Sequence, residues 1–306
     1  MPPPLLRRPR TLVTLATVVA VGIAAAGAVS LRHARPLDGT STRHITVGGV
    51  SRTYLLHAGG EAKPGRPLGL VLHGWHGTAA GIERRTRGTF DKLADRDGAV
   101  VVYPEAAGDR RWNDGWPTGD APAPDDLGFL AALIDTLAAE VGIDRKRVYA
   151  AGFSNGAGMV YRLACERADL VAAVAPVSGD MSAPVASACP RGAPVAIIAM
   201  HGTDDPPFGD QQQNDIRTWV RRDGCSGQPS SSRLPDTDPD DGTKTRVDLY
   251  APCAASTAVA FYTIEGGGHA WPGGKTTWTL ARQGNTPRDF DAAVVIWDFF
   301  QNHARR

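Results

Sequence analysis

Ser154 lies in Gly152-Phe153-Ser154-Asn155-Gly156, a G-x-S-x-G pentapeptide that follows an apolar, β-branched run and precedes a helix-like one. A serine on a sharp strand-to-helix turn exposes its hydroxyl, and flanking glycines let strand and helix approach without clashing Cβ atoms. At a helix N-terminus, unpaired amides and the positive end of the dipole face any negative charge that develops beside the hydroxyl. Those are the requirements of nucleophilic acyl transfer, and such a serine also needs a base and an acid to orient that base. In chains built around this turn the order is serine, then acid, then histidine.

Two downstream segments keep that order. The apolar run Pro194 to Met200 ends in His201-Gly202-Thr203-Asp204-Asp205-Pro206, which puts two acids just past a strand. Phe261-Tyr262-Thr263-Ile264 ends in Glu265-Gly266-Gly267-Gly268-His269, which puts a histidine in a glycine-rich loop. Chemistry in open parallel sheets gathers at the C-terminal ends of strands. Asp204 and Asp205 also suit plain helix or turn caps, so the residues alone leave the choice between them open. His33, His44, His57 and His303 fall in the leader, the first strands and the C-terminal tail, and receive no role. An oxyanion needs two amide donors: Asn155 follows the nucleophile, and the loop His73-Gly74-Trp75-His76-Gly77-Thr78 after the buried strand Leu68 to Leu72 offers Trp75.

The elements that must carry these residues alternate along the chain. Ile45 to Val47, a Gly48-Gly49 turn and Arg52 to His57 read as a leading hairpin. Strands at Gly69 to Leu72, Ala99 to Tyr103, Arg147 to Ala151 and Leu170 to Pro176 then interleave with helices at Ile82 to Ala94, Asp126 to Val141 and from Asn155 onward. Such alternation predicts an α/β fold, a mostly parallel central sheet with helices on both faces. Gly108 to Pro124 lacks periodicity and reads as a loop near the site, where Trp112 and Trp116 either line a pocket or anchor the loop. With Trp271 of the histidine loop they are the candidate substrate-binding aromatics. Gln228 to Gly242, rich in Pro, Ser and Asp, reads as a mobile surface loop.

The chain resembles the family that joins bacterial polyhydroxybutyrate depolymerases with feruloyl and acetylxylan esterases. The resemblance rests on motifs in order: Leu72-His73-Gly74, Val102-Tyr103-Pro104-Glu105, Trp112-Asn113, Asp125-Asp126-Leu127-Gly128-Phe129, Gly152 to Gly156, His201 to Pro206, Gly267 to Gly273 and Ile296-Trp297-Asp298-Phe299-Phe300. It implies an α/β-hydrolase fold, Ser154 as nucleophile, His269 as base and no cofactor. It also selects Asp205 as the acid, since the family pattern is His-Gly-Thr, one free residue, then Asp. Trp75-His76 stands where many relatives carry smaller residues, which predicts a narrower acyl pocket. The implied substrates are polyhydroxyalkanoate oligomers or feruloyl and acetyl esters of polysaccharide.

Composition bounds the remaining choices. The 33 Lys and Arg balance 32 Asp and Glu, so no basic excess suggests nucleic acid as a partner. Arg7, Arg8 and Arg10 precede an uncharged stretch from Thr11 to Leu31, which reads as a signal peptide or membrane anchor over residues 1–36 ahead of one domain over 37–306. Membrane contact is expected only through that segment, and the location is extracellular or the cell envelope. Cys165, Cys189, Cys225 and Cys253 agree with export; sequential pairing, Cys165–Cys189 and Cys225–Cys253, is expected, and no C-x-x-C spacing suggests a metal. Two other readings stay open: a serine peptidase of the prolyl-peptidase kind, and a binding protein that keeps the fold without catalysis.

Overall fold

Leu70-Val71-Leu72 and Val100-Val101-Val102-Tyr103 have no polar face, as befits strands covered on both sides. The computed structural model describes Met1 and residues 39–59, 64–117, 123–189, 193–205, 211–275 and 284–305. Apart from Met1, the expected leader over 1–36 lies outside the described residues. In chain order the elements are β1 (Thr40–Val47), β2 (Val50–Ala58), β3 (Arg66–Leu72), α1 (Ala79–Arg85), α2 (Thr89–Asp97), β4 (Val100–Pro104), α3 (Asp126–Val141), β5 (Ile143–Phe153) and α4 (Asn155–Glu166). There follow β6 (Ala173–Val177), α5 (Ala183–Ala188), β7 (Ala196–Gly202), α6 (Gln211–Arg222), β8 (Ser230–Arg233), β9 (Lys244–Tyr250), β10 (Val259–Glu265) and α7 (Ala292–Gln301). Among the described residues, no helix is long and apolar enough to cross a membrane.

Among the described residues, ten strands form one sheet in the order β1-β2-β4-β3-β5-β6-β7-β10-β9-β8. Its centre, from β4 to β10, is parallel, and antiparallel strands flank it on both sides. Alternate residues of the central strands feed two cores. Leu70, Leu72, Val148, Ala150 and Ile197 join Leu133 and Leu137 of α3, Met159 and Val160 of α4 and Trp219 of α6. Val71, Tyr149, Ala151, Ile198 and Met200 join Ile82 of α1, Phe90 and Leu93 of α2 and Ile296, Trp297 and Phe300 of α7. A fully buried side chain of this size stabilises the fold by about 1.5–3 kcal/mol, so the apolar strands are explained without any polar face. From β3 the chain first crosses to β4 on one side and then to β5 on the other. That reversal opens a crevice above β3 and β5.

Two expectations are corrected. The single helix expected over Ile82 to Ala94 is two, because Arg87 and Gly88 adopt φ of 60° and 62° and break the ladder between α1 and α2. Gln228 to Gly242 is not all loop: it contains β8, the exposed edge strand paired with β9. Both faces of β8 meet solvent, so its Ser-rich sequence carries no hydrophobic alternation to read.

A buried ion pair fixes the start of α3. Arg52 donates to Asp126 Oδ1 at 2.7 Å and to the Glu105 carbonyl at 3.1 Å, while Asp126 Oδ2 accepts the Asn113 N–H at 2.7 Å. The Arg52 guanidinium also lies 3.9 Å from the Phe129 ring centroid. Asp126→Ala would leave Arg52 buried without its acid, and we expect it to cost about 3–5 kcal/mol in chemical denaturation. A loss below about 1 kcal/mol would show the pair to be dispensable.

Candidate active site

Ser154 follows β5 directly and caps α4 with φ 56° and ψ −120°. A side chain rarely takes that conformation, which costs on the order of 1–3 kcal/mol and persists only where the surroundings enforce it. Here the Ser154 N–H donates to the Val177 carbonyl at 2.9 Å, and its own carbonyl accepts from Ala157 at 2.8 Å and Gly158 at 3.2 Å. The close approach needs the two glycines: a Cβ at Gly152 would sit 2.1 Å from the Gly156 oxygen, and one at Gly156 would sit 2.6 Å from the Leu72 and His73 oxygens.

Asp205 and His269 come from loops after β7 and β10 that are stitched together. Thr203 N–H donates to the Ile264 carbonyl, Asp204 N–H to the Gly267 carbonyl and Gly266 N–H to Thr203 Oγ1, each at 2.9 Å. Ser178, at the end of β6, donates from Oγ to the Ala270 carbonyl at 3.0 Å and holds the histidine loop from the other side. His269 Nδ1 thereby lies 3.0 and 3.1 Å from the two Asp205 oxygens, and its Nε2 lies 3.0 Å from Ser154 Oγ. A carboxylate only accepts, so Nδ1 carries the proton and Nε2 can take one from the serine hydroxyl. Asp204 is exposed and bonded to Thr203, so the acid that reaches the imidazole is Asp205. The Phe153 ring packs 4.9 Å from the imidazole and also carries the guanidinium of Arg85 at 4.6 Å, whose pKa burial lowers to about 10.

The loop expected to supply the second amide donor runs beside Ser154, and Asn155 follows that serine in the chain. A Cβ at Gly74 would lie 3.2 Å from Ser154 Cβ, so the His73–Trp75 segment runs beside the serine. His73 stiffens this loop: Nδ1 donates to the Gly74 carbonyl at 2.7 Å, and Nε2 accepts the Ala106 N–H at 3.1 Å. Among the described residues, none of the loop hydrogen bonds uses the N–H of Trp75 or Asn155, and Asn155, as the first residue of α4, precedes the helical ladder. The Asn155 side chain has a second task. It accepts the Trp112 N–H at 2.7 Å and donates to the Trp112 carbonyl at 3.1 Å and to Asp114 Oδ2 at 2.6 Å.

A cavity of about 160 Å³ opens onto Ser154 and Asn155. Trp75, Arg111, Asp114, Trp116 and Asp180 complete its lining. Trp75 is 53% exposed and stacks on His76 at 4.6 Å, and Trp116 is 41% exposed, so the indoles form an aromatic rim. Of the other aromatics expected at the substrate, Trp112 and Trp271 lie elsewhere. Trp112 is fully buried with Nε1 donating to the His73 carbonyl at 2.9 Å, which makes it a loop anchor. Trp271 is buried edge-on to Phe90 at 6.1 Å. Both disulfides pair sequentially, Cys165–Cys189 and Cys225–Cys253.

The sequence reading did not single out Asp114, Arg111 or Asp180. The strand-end rule that marked Asp204 and Asp205 also fits Asp180, three residues past the end of β6. Burial raises the Asp114 carboxyl above the usual range. Burial, reinforced by the nearby charges of Asp215, Asp114 and Asp205, pushes Asp180 up to about 7, and burial pushes Asp215 up to about 6. A carboxyl raised by folding binds more protons folded than unfolded between 3.8 and about 7, so its ionisation there opposes folding. Asp180→Asn should therefore gain stability relative to wild type as the pH rises through that window, by up to about 1.4 kcal/mol per pH unit. Urea midpoints at pH 5 and pH 8 measure it; a wild-type-to-variant gap that does not widen with pH would disprove it.

Comparison with known proteins bears on this arrangement. The family model described as Esterase PHB depolymerase matches residues 51–202. NocK of Nocardia uniformis subsp. tsuyamanensis, an esterase by assignment, is 34% identical over 87% of this chain and 84% of its own length. The chain belongs to the PHB depolymerase esterase family. It is accordingly a carboxylic ester hydrolase. Within this esterase family, feruloyl esterase B of Piromyces equi is 29% identical over 72% of the chain, which spans 42% of that longer protein. The acetyl xylan esterase from Aspergillus awamori superposes with a TM-score of 0.57 at 16% identity, over 73% of this chain and 92% of that one, and shares the α/β-hydrolase fold.

Proposed function

We propose that this member of the PHB depolymerase esterase family is an exported serine esterase that works through an acyl-enzyme. The observation that carries the reading is the continuous hydrogen-bonded line from Asp205 through His269 to Ser154 Oγ, with both links at 3.0 Å. Ser154 Oγ forms a bond to the ester carbon as its proton passes to His269 Nε2. The oxyanion is met by the amides of Trp75 and Asn155, and the positive end of α4 favours it further. Collapse breaks the bond to the alcohol oxygen, which leaves with the proton from His269. Water then repeats the sequence at the acyl-enzyme, releases the acid and restores the serine.

Asp205 holds the imidazole in the productive tautomer and stabilises its cationic form. Two disulfides support export, since such bonds persist in oxidising compartments. The cavity of about 160 Å³ suits a short acyl or small alcohol group, and its aromatic rim of Trp75 and Trp116 suits stacking against a feruloyl ring or a sugar face. Polyhydroxyalkanoate oligomers and feruloyl or acetyl esters of polysaccharide are the substrate classes in view. The test is a hydrolysis screen of the full chain over hydroxyalkanoate, feruloyl, acetyl-xylan and short nitrophenyl esters, with fluorophosphonate labelling alongside. Labelling of wild type but not of Ser154→Ala is expected, and a wild type that is folded yet neither labelled nor active would overturn the reading.

A further inference from the structure

Two carboxyls, Asp114 and Asp180, line the cavity with Ser154, and Asp215 of α6 lies near Asp180; Asp114 and Asp215 already have partners. Asp114 accepts from Asn155 Nδ2 at 2.6 Å and from the Trp116 N–H at 3.2 Å. Asp215, on α6, accepts from the Met181 N–H at 2.7 Å and from Gln211 Nε2 at 2.9 Å. Asp180 differs. It is only 7% exposed and lines the cavity with Ser154, yet among the described residues its carboxyl has no ion pair and no partner beyond its own backbone N–H. It is also held close to the reacting serine, because a Cβ at Gly179 would lie 2.4 Å from the Ser154 carbonyl oxygen. A buried carboxyl with spare acceptor capacity is costly unless something pairs with it.

We infer that Asp180 is a specificity-determining residue whose carboxyl takes a hydrogen bond from a hydroxyl of the ester substrate, on the acyl or the alcohol side of the scissile bond. The inference rests on Ser154 being the nucleophile. The cavity chemistry selects the partner. Two acids against one arginine, Arg111, disfavour a substrate carboxylate, and an alkyl group at this position would leave Asp180 unpaired. A neutral hydroxyl can pair with the carboxyl in either protonation state. A site built to bond a hydroxyl discriminates against the analogue that lacks it, because the site's own polar group is then left unsatisfied.

The groups that face Asp180 are Asp215 from α6, Asp114 from the loop before α3, Asp205 from the loop after β7 and Tyr161 from α4, with Arg111 in the same lining. Most are acids, and they add to burial, the larger cause, in pushing the carboxyl up to about 7. The strength of its bond to a hydroxyl thus changes across the working pH range, since an ionised acceptor binds more strongly than a neutral one.

The test compares kcat/KM for ethyl 3-hydroxybutyrate and 2-hydroxyethyl butyrate, each as a ratio to ethyl butyrate. At least one wild-type ratio should exceed that of Asp180→Leu by about tenfold or more, and the pair that responds assigns the side of the scissile bond. The same ratio in wild type should rise several-fold from pH 5.5 to pH 8.5, while Asp180→Asn should keep a ratio that is flat with pH. That second arm decides the matter even if the leucine variant fails to fold. Fluorophosphonate labelling of each variant separates the two readings: loss of labelling in wild type defeats Ser154, not Asp180. Labelled, folded variants with both ratios and their pH dependence unchanged would overturn the assignment.

Discussion

Replacing Ser154 by glycine should abolish ester hydrolysis and at the same time raise the melting temperature. The first half follows from losing the nucleophile: removal of the serine from such a triad lowers kcat on the order of 10⁶-fold, and only oxyanion and binding contributions survive. The second half follows from the backbone. At φ 56° and ψ −120°, Ser154 holds a conformation that glycine adopts freely. Ser154→Gly should therefore be more stable than Ser154→Ala by about 1 kcal/mol or more, the alanine variant keeping both the Cβ and the strain. Turnover of a nitrophenyl ester and thermal melts of the three proteins provide the comparison. Equal stability of the glycine and alanine variants would mean that the turn is relaxed, and substantial turnover in either would remove Ser154 from the mechanism.

Asp205→Asn should lower kcat by about 10⁴-fold with little change in KM, because an amide can present its NH₂ to Nδ1 and so favour the wrong imidazole tautomer. Asp204→Asn is the control. Its side chain is exposed and, among the described residues, bonded only to Thr203, so activity close to wild type is expected. A larger loss at Asp204 than at Asp205 would reverse the assignment of the acid. A rise in KM with kcat unchanged at Asp205 would place it in ground-state binding instead.

The reach of sequence reading differs between these residues for physical reasons. Ser154, His269 and the pair Asp204-Asp205 stand out in the sequence because each lies where a buried apolar run stops, and strand ends are where a parallel sheet presents side chains to a ligand; only the family pattern chose Asp205 within the pair. The same rule fitted Asp180, but an acid after a Ser-Gly pair is indistinguishable from an ordinary turn until its neighbours are known. Trp112 and Trp271 show the converse. An indole in a loop near the site has the same letters whether it faces a cavity or fills the core, and only the hydrogen bond from Trp112 Nε1 to the His73 carbonyl decides. The edge strand β8 escaped notice because both of its faces meet solvent, so period-two burial, the signal that revealed the central strands, is missing.

The Asn155 side chain couples the wall of the cavity to the turn that bears the serine. Its three bonds to Trp112 and Asp114 mean that remodelling this wall at Asp114 would be transmitted into the backbone of the residue beside Ser154. The enzyme's tolerance to change is thus unevenly distributed over one small pocket. Arg111 and Trp116 line it without bonding Asn155, so directed evolution toward new esters should accumulate substitutions at those two positions and leave Trp112, Asp114 and Asn155 intact.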